Sequence, residues 1–186
     1  MTLGPGERRL LLALARDAVE SEVRGAPPRL SIPTDGPLSA PGAAFVTLHS
    51  HGSLRGCIGT FDRSRSLAQT VREVAMSAAV DDPRFPRVHE DELASLSLDV
   101  SILTPPGPAT SGEVEVGRHG LQIAARGRRG VLLPQVATEH GWDRERFLSE
   151  TCRKAGLPPD AWRDPTTRIE TFEAEVFGEP EDDDDY

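Results

Sequence analysis

The chain has 186 residues, 37% of them hydrophobic and 27% charged, with 17 Gly, 16 Pro and 2 Cys. A chain of this length can bury about 70% of its unfolded surface, no run approaches the ~20 apolar residues that cross a bilayer, and two cysteines are too few for a disulfide framework. The formal net charge is -9, but Glu179, Glu181 and Asp182 to Asp185 supply six of the negatives, so the body lacks the basic footprint of a dedicated nucleic-acid binder.

These bounds give a cytoplasmic protein without a membrane partner, in which nucleic acid is not the expected ligand. One domain is expected over residues 1–178. The acidic run 179–186 is expected to be a disordered, solvated tail.

Leu3, Leu10, Leu11, Leu14 and Ala18 fall close to one helical face, with Glu7, Arg9, Arg16, Asp17 and Glu20 largely elsewhere, which predicts an amphipathic helix packed on the core. Pro27, Pro28, Pro33, Pro37 and Pro41 then deny helix and central-strand geometry, so residues 25–41 should be an extended covering segment. Strands are predicted over Ala44 to His49 and Leu54 to Thr60, joined by a turn containing Gly52. Ser66 and Gln69 form a capping-box pattern for a helix that ends near Val80.

Leu96, Leu98, Val100 and Ile102 alternate with Ser97, Asp99 and Ser101, the period of a strand with one buried face. Short strands follow around Val114, Leu121 to Ala125 and Val131 to Leu133, separated by glycine-bearing turns. Asp143 can cap a helix to Ala155, with Gly156 after it. The last strand is predicted from Thr167 to Phe177, with Phe172, Ala174 and Val176 facing inward. Helices and antiparallel hairpins without a βαβ rhythm define an α+β fold.

No GxGxxG after a strand, Walker A loop, HExxH, GxSxG elbow or CxxC is present, and no cofactor is expected. His49 and His51 could share a strand face and chelate a metal with Cys57 nearby, but two imidazoles beside a hairpin turn and a thiol whose part is open stand against the usual three or four ligands, so no metal site is expected either. The segment Leu54-Arg55-Gly56-Cys57-Ile58-Gly59-Thr60 is unusual for a strand, because its two glycines weaken it and suit a place where backbone or ligand approaches closely. Alternation puts Arg55, Cys57 and Gly59 on one face, where the guanidinium could stabilise a thiolate. Three readings of Cys57 stay open: a small buried hydrophobe, a ligand-contacting thiol, or a covalent nucleophile whose base the sequence does not reveal. Asp82 and Arg84 form either a turn-stabilising pair or a base and an anion clamp. Arg126, Arg128 and Arg129 read as a solvated hairpin tip, without an aromatic stacking platform for RNA.

Leu54 to Thr60 resembles the hallmark of the AMME syndrome candidate-gene family, whose bacterial and archaeal members are called AmmeMemoRadiSam system protein A. The resemblance extends over Phe45 to Leu48, Asp82 to Pro86, Ser101 to Pro105, Gly117 to Gly120, Leu132 to Val136 and Cys152 to Leu157. It implies one α+β module with two unequal lobes around a cleft, and marks Leu54 to Gly59 as the functional segment. Arg55, Gly56, Gly59, Asp82, Arg84 and His119 become ligand-binding candidates and Cys57 the catalytic candidate. The resemblance also implies Memo-type and radical SAM partners. The expected role is a substrate- or partner-binding component of a modification system, and the alternative is an enzyme using the Cys57 thiol assisted by Arg55 on an unknown substrate.

Overall fold

The computed structural model describes residues 3–180. Its elements are α1 (Pro5–Arg24), β1 (Ala43–Ser50), β2 (Ser53–Thr60), α2 (Leu67–Val80), β3 (Leu96–Leu103), β4 (Gly107–Pro108), β5 (Gly120–Ala125), β6 (Arg128–Leu132), α3 (Pro134–Glu139), α4 (Arg144–Lys154), β7 (Arg168–Phe172) and β8 (Ala174–Gly178). The strands form two four-stranded sheets, β2-β1-β3-β8 and β4-β7-β5-β6. The α+β expectation therefore holds. The chain divides into two units, one running to Leu103 and resuming at Glu175, the other Thr104–Ala174.

In the first unit α1 and α2 bury one face of the sheet. Leu11, Leu14, Ala15, Ala18 and Val19 of α1 and Val71, Ala75 and Ala78 of α2 meet Val46, Leu48, Leu98 and Val100 of the strands. α1 starts after Leu3, which was expected on its face, whereas α2 starts where the sequence sets it. Pro5 supplies a first helical residue that lacks an N–H where none is needed, and Ser66 and Gln69 close the expected capping box. Asp17, expected on the solvated face, is instead buried. Its carboxylate accepts from the Arg29 and Leu30 N–H groups at 2.9 Å each and so pins the proline-rich segment, whose Leu38 joins the core.

In the second unit Leu121 and Ile123 of β5 pack on Phe147, Leu148 and Cys152 of α4. Asp143 caps α4, accepting from the Arg146 N–H at 2.8 Å. Val114 is buried but lies after a short 3-10 turn, Ser111–Glu113, in place of the predicted strand. The hairpins β1–β2 and β5–β6 turn through His51-Gly52 and Arg126-Gly127. All four residues have positive φ, between 49° and 74°, as a two-residue hairpin turn matched to strand twist requires.

The strand predicted from Thr167 to Phe177 is broken at Glu173. β7 pairs with β5, whereas β8 lies beside β3 in the other sheet. The change of sheet resets which residues face inward: Phe172 is buried, but Val176 is 57% exposed. Glu179, expected in the mobile tail, is bonded instead. Its N–H donates to the Leu98 carbonyl at 2.9 Å, and its carboxylate accepts from the Leu98 N–H at 3.0 Å and from Arg16. The rest of the expected tail, 181–186, lies outside the described residues.

Candidate functional site

The register of the first sheet sets the site. Cys57 of β2 stands opposite Thr47 of β1, and Thr47 opposite Asp99 of β3. Because residues in one row share a face, Cys57, Thr47 and Asp99 line up on the face opposite the two helices. His49, two residues along β1, adds its imidazole. The Thr47 hydroxyl lies 3.2 Å from Cys57 Sγ, and His49 Nε2 lies 3.0 Å from Asp99 Oδ2. This face carries a half-buried thiol, a hydroxyl and an imidazole–carboxylate pair.

The two glycines of the motif serve packing. A Cβ on Gly56 would stand 2.3 Å from the Ala78 carbonyl oxygen, so the missing side chain lets β2 lie against α2. A Cβ on Gly59 would stand 2.1 Å from the Phe45 ring, which covers that glycine and meets Phe61 edge-on at 5.3 Å. Neither glycine opens space for a ligand at its own position.

Arg55 does not share the Cys57 face as alternation predicts. The β1–β2 register slips between Leu48 and His49, pairing Leu48 with Gly56 and His49 with Leu54. Arg55 is thus the extra, unpaired residue of a β-bulge, which re-aims a side chain. Its guanidinium bonds Glu92 at 2.8 and 3.1 Å and the Pro86 and Arg87 carbonyls at 2.9 and 3.3 Å. Arg55 therefore anchors the segment after α2, and through this bond it holds the Glu92 carboxyl below its ordinary pKa.

Asp82 is buried, and its carboxylate accepts the Cys57 N–H at 2.9 Å, the Arg84 N–H at 3.0 Å, Arg84 Nε at 3.0 Å and Arg84 Nη2 at 2.7 Å. Arg84 Nη2 also reaches the Cys57 carbonyl at 3.4 Å. β2 is an edge strand, so this pair satisfies the N–H and the C=O that Cys57 presents to the open edge and fixes the backbone under the thiol. The Arg84 hydrogen bond, opposed by burial and reinforced by the Cys57 N–H, holds the Asp82 carboxyl far below the usual carboxylate range. A carboxylate so committed is a poor base, which favours the turn-pair reading of Asp82 and Arg84.

His119 belongs to the second unit. Its Nδ1 accepts the Glu115 N–H at 3.1 Å and closes the turn before β5. Of the sequence-derived candidates, the first sheet brings Cys57, Asp82 and Arg84 together and turns Arg55 away. Thr47 and Asp99 were not singled out for this site, and His49 was considered beside Cys57 only as a metal ligand. Their signal was the alternation of Thr47 and His49 with Val46 and Leu48, and of Asp99 with Leu98 and Val100. Among the described residues no group of three or more His, Cys, Asp and Glu side chains is arranged to hold a metal, and no helix is long and apolar enough to cross a membrane.

Two antiparallel sheets in separate units, with a cysteine row on the open face of the first, define an α+β class without a nucleotide-binding loop. The AMMECR1 family model matches residues 12–177. A protein of Methanothermobacter thermautotrophicus is 45% identical over 186 residues, covering 95% of this chain and 96% of its own. Protein TK0174 of Thermococcus kodakarensis is 46% identical over 184 residues, covering 91% and 88%. The crystal structure of the uncharacterized protein PH0010 from Pyrococcus horikoshii superposes with a TM-score of 0.84 at 39% identity, covering 95% of this chain and 93% of that one. The chain belongs to the AMMECR1 family.

Proposed function

We propose that this chain is a substrate- or partner-binding component, acting with Memo-type and radical SAM proteins in a modification system, and that the Cys57 row is its recognition face. The observation that carries this reading is the commitment of the groups around the thiol. Arg55 is tied to Glu92, Asp82 to Arg84 and the Cys57 backbone, and among the described residues only the Thr47 hydroxyl bonds the sulfur. A nucleophile needs a base within reach of its proton, and among the described residues no such base bonds Cys57. What remains is a polar sheet face with a half-buried thiol on its edge strand, suited to contact.

A second reading rests on His49 and Asp99. A carboxylate that bonds one imidazole nitrogen leaves the other free to accept a proton, and this pair shares the face of Cys57. The alternative is therefore a thiol enzyme in which His49, not Arg55, assists Cys57. Reconstitution with a Memo-type and a radical SAM protein from one cell separates the two. If the chain binds, Cys57→Ser preserves turnover by the assembled system and changes only its affinity. Abolished turnover with unchanged assembly would establish the enzyme, and failure of either protein to bind would remove the partnership.

A further inference from the structure

The edge of an open sheet presents N–H and C=O groups that can pair with a further strand. On β2 of the first sheet, Asp82 and Arg84 occupy those of Cys57. In the second sheet the edge strand β4 is two residues long, and one of them is Pro108, which has no N–H to donate. The opposite edge, β6, is open. Ala125 and Arg128 flank the two-residue turn and so form a hydrogen-bonded pair, and such pairs alternate along an antiparallel ladder. Gly130 with Ile123 and Leu132 with Leu121 are the next two. Arg129 and Val131 therefore turn their N–H and C=O groups away from β5, and among the described residues no hydrogen bond reaches those groups.

This edge is held in place from one side. A Cβ on Gly130 would stand 2.5 Å from the Ala155 nitrogen, so the bare glycine seats β6 on the end of α4, and Arg128 Nη1 donates to the Gly156 carbonyl just beyond that helix. An incoming strand meets a backbone already ordered, which lowers the cost of binding. Because Gly130 faces α4, its neighbours Arg129 and half-buried Val131 share the open face of the sheet.

The same edge is cationic. The ion pairs of the second unit use Arg118, Arg146, Arg153, Arg163 and Arg168. Arg126, Arg128, Arg129 and Lys154 form none among the described residues, and all four are exposed. The nearby acids are engaged: Glu150 by Arg146 and Arg153, Glu170 by Arg168, and Asp164, within electrostatic reach of Arg126, by Thr166.

We propose that β6 is a docking edge for an extended acidic segment of a partner protein, which adds a fifth strand to the second sheet. Charge complementarity selects the occupant. Residues two apart on one face of the added strand meet Arg129 and Val131 in turn, so the segment carries an acid and an aliphatic side chain separated by one residue. Main-chain bonds supply the affinity and these alternate side chains the specificity. A second copy of β6 would bring its own arginines beside these, and like charge opposes that pairing. Neither the β5–β6 turn nor β6 carries an aromatic ring on which a base could stack, which disfavours a nucleic acid.

The test is amide hydrogen exchange, read by NMR on the full chain at low ionic strength, with the capped peptide Thr-Glu-Thr-Val-Thr-Glu-Thr as probe. Its charge pattern is the same in both directions, so it serves either strand orientation. In the free chain the Arg129 and Val131 amides exchange fast and those of Arg128 and Gly130 slowly. Millimolar peptide slows Arg129 and Val131 at least several-fold, and molar salt weakens the effect. The same peptide N-methylated throughout keeps its charge and gives no protection. Arg126→Ala/Arg129→Ala weakens binding several-fold, and Val131→Pro, which removes an N–H that β5 does not use, abolishes it, with slow alkylation of Cys152 reporting that each variant is folded. Slow exchange of Arg129 and Val131 in the free chain, no slowing by the peptide, or equal protection by its N-methylated form overturns the proposal. So does a single-stranded oligonucleotide that protects both amides better than the peptide at equal charge concentration.

Discussion

Asp82 gathers four hydrogen bonds on one buried carboxylate, and its removal leaves the Cys57 N–H and the Arg84 guanidinium without their acceptor. Asp82→Ala is expected to cost about 2 kcal/mol, measured by denaturant unfolding. The pH dependence has a definite sign. The folded pKa lies below the unfolded value of about 3.9, so the contribution is complete above that value and is lost as pH falls through the depressed folded one. The wild type should therefore lose more stability than Asp82→Asn between about pH 4 and 2, and equal losses would refute this role.

The two cysteines differ on the same scale. Cys152 is fully buried, and burial pushes its thiol pKa up, whereas Cys57 is half-buried. Iodoacetamide should label Cys57 in the folded chain and reach Cys152 only after denaturation. Because Arg55 bonds Glu92 and two carbonyls and not the thiol, Arg55→Ala should lower stability by about 2 kcal/mol while leaving the rate of Cys57 labelling unchanged. Slowed Cys57 labelling in a folded variant would restore Arg55 to the thiol.

At the scale of elements, the Gly56 and Gly59 contacts make opposite predictions about rescue. Gly56→Ala drives a methyl into the backbone of α2 and should cost about 3 kcal/mol, with no neighbouring side chain able to yield. Gly59→Ala meets the Phe45 ring most closely, so Phe45→Ala should recover part of its cost, as a thermal-unfolding double-mutant cycle would read. Additive losses would place the Gly59 constraint elsewhere.

Elements like these were legible wherever the information was local. The Ser66–Gln69 box, the Asp143 cap, the glycine-bearing turns and the alternation of β3 each follow from neighbours in the chain. The bulge at Arg55 was not legible, because it is a property of the pairing with β1 and inverts the face that alternation assigns. The change of sheet at Glu173 was hidden for the same reason: the run reads as one strand, and only the distant partners β5 and β3 divide it. The Cys57 row needed both registers, so the motif pointed to the cysteine without revealing Thr47 or Asp99 as its company.

At the scale of the whole molecule, Glu179 ties the segment after β8 to α1 and β3. Arg16, itself held by the Leu93 and Leu96 carbonyls at 3.1 and 2.7 Å, presents a preorganised guanidinium to that carboxylate. Ending the chain at Gly178 should lower Tm by about 2–4 °C, corresponding to ~1 kcal/mol for a chain of this size, and Glu179→Gln should reproduce most of the loss. An unchanged Tm would mean that this bond adds nothing to stability.

The central claim is that the Cys57 face recognises a partner. Its most direct measurement is the rate of Cys57 alkylation in the full chain, alone and with a saturating Memo-type or radical SAM protein from the same cell, with slow labelling of Cys152 as the internal check on folding. The account predicts that one of the two slows Cys57 labelling at least several-fold, and that replacing Thr47 by a bulky residue weakens the protection without unfolding the chain. Unchanged Cys57 labelling in the presence of both proteins, under conditions where a complex forms, would contradict it.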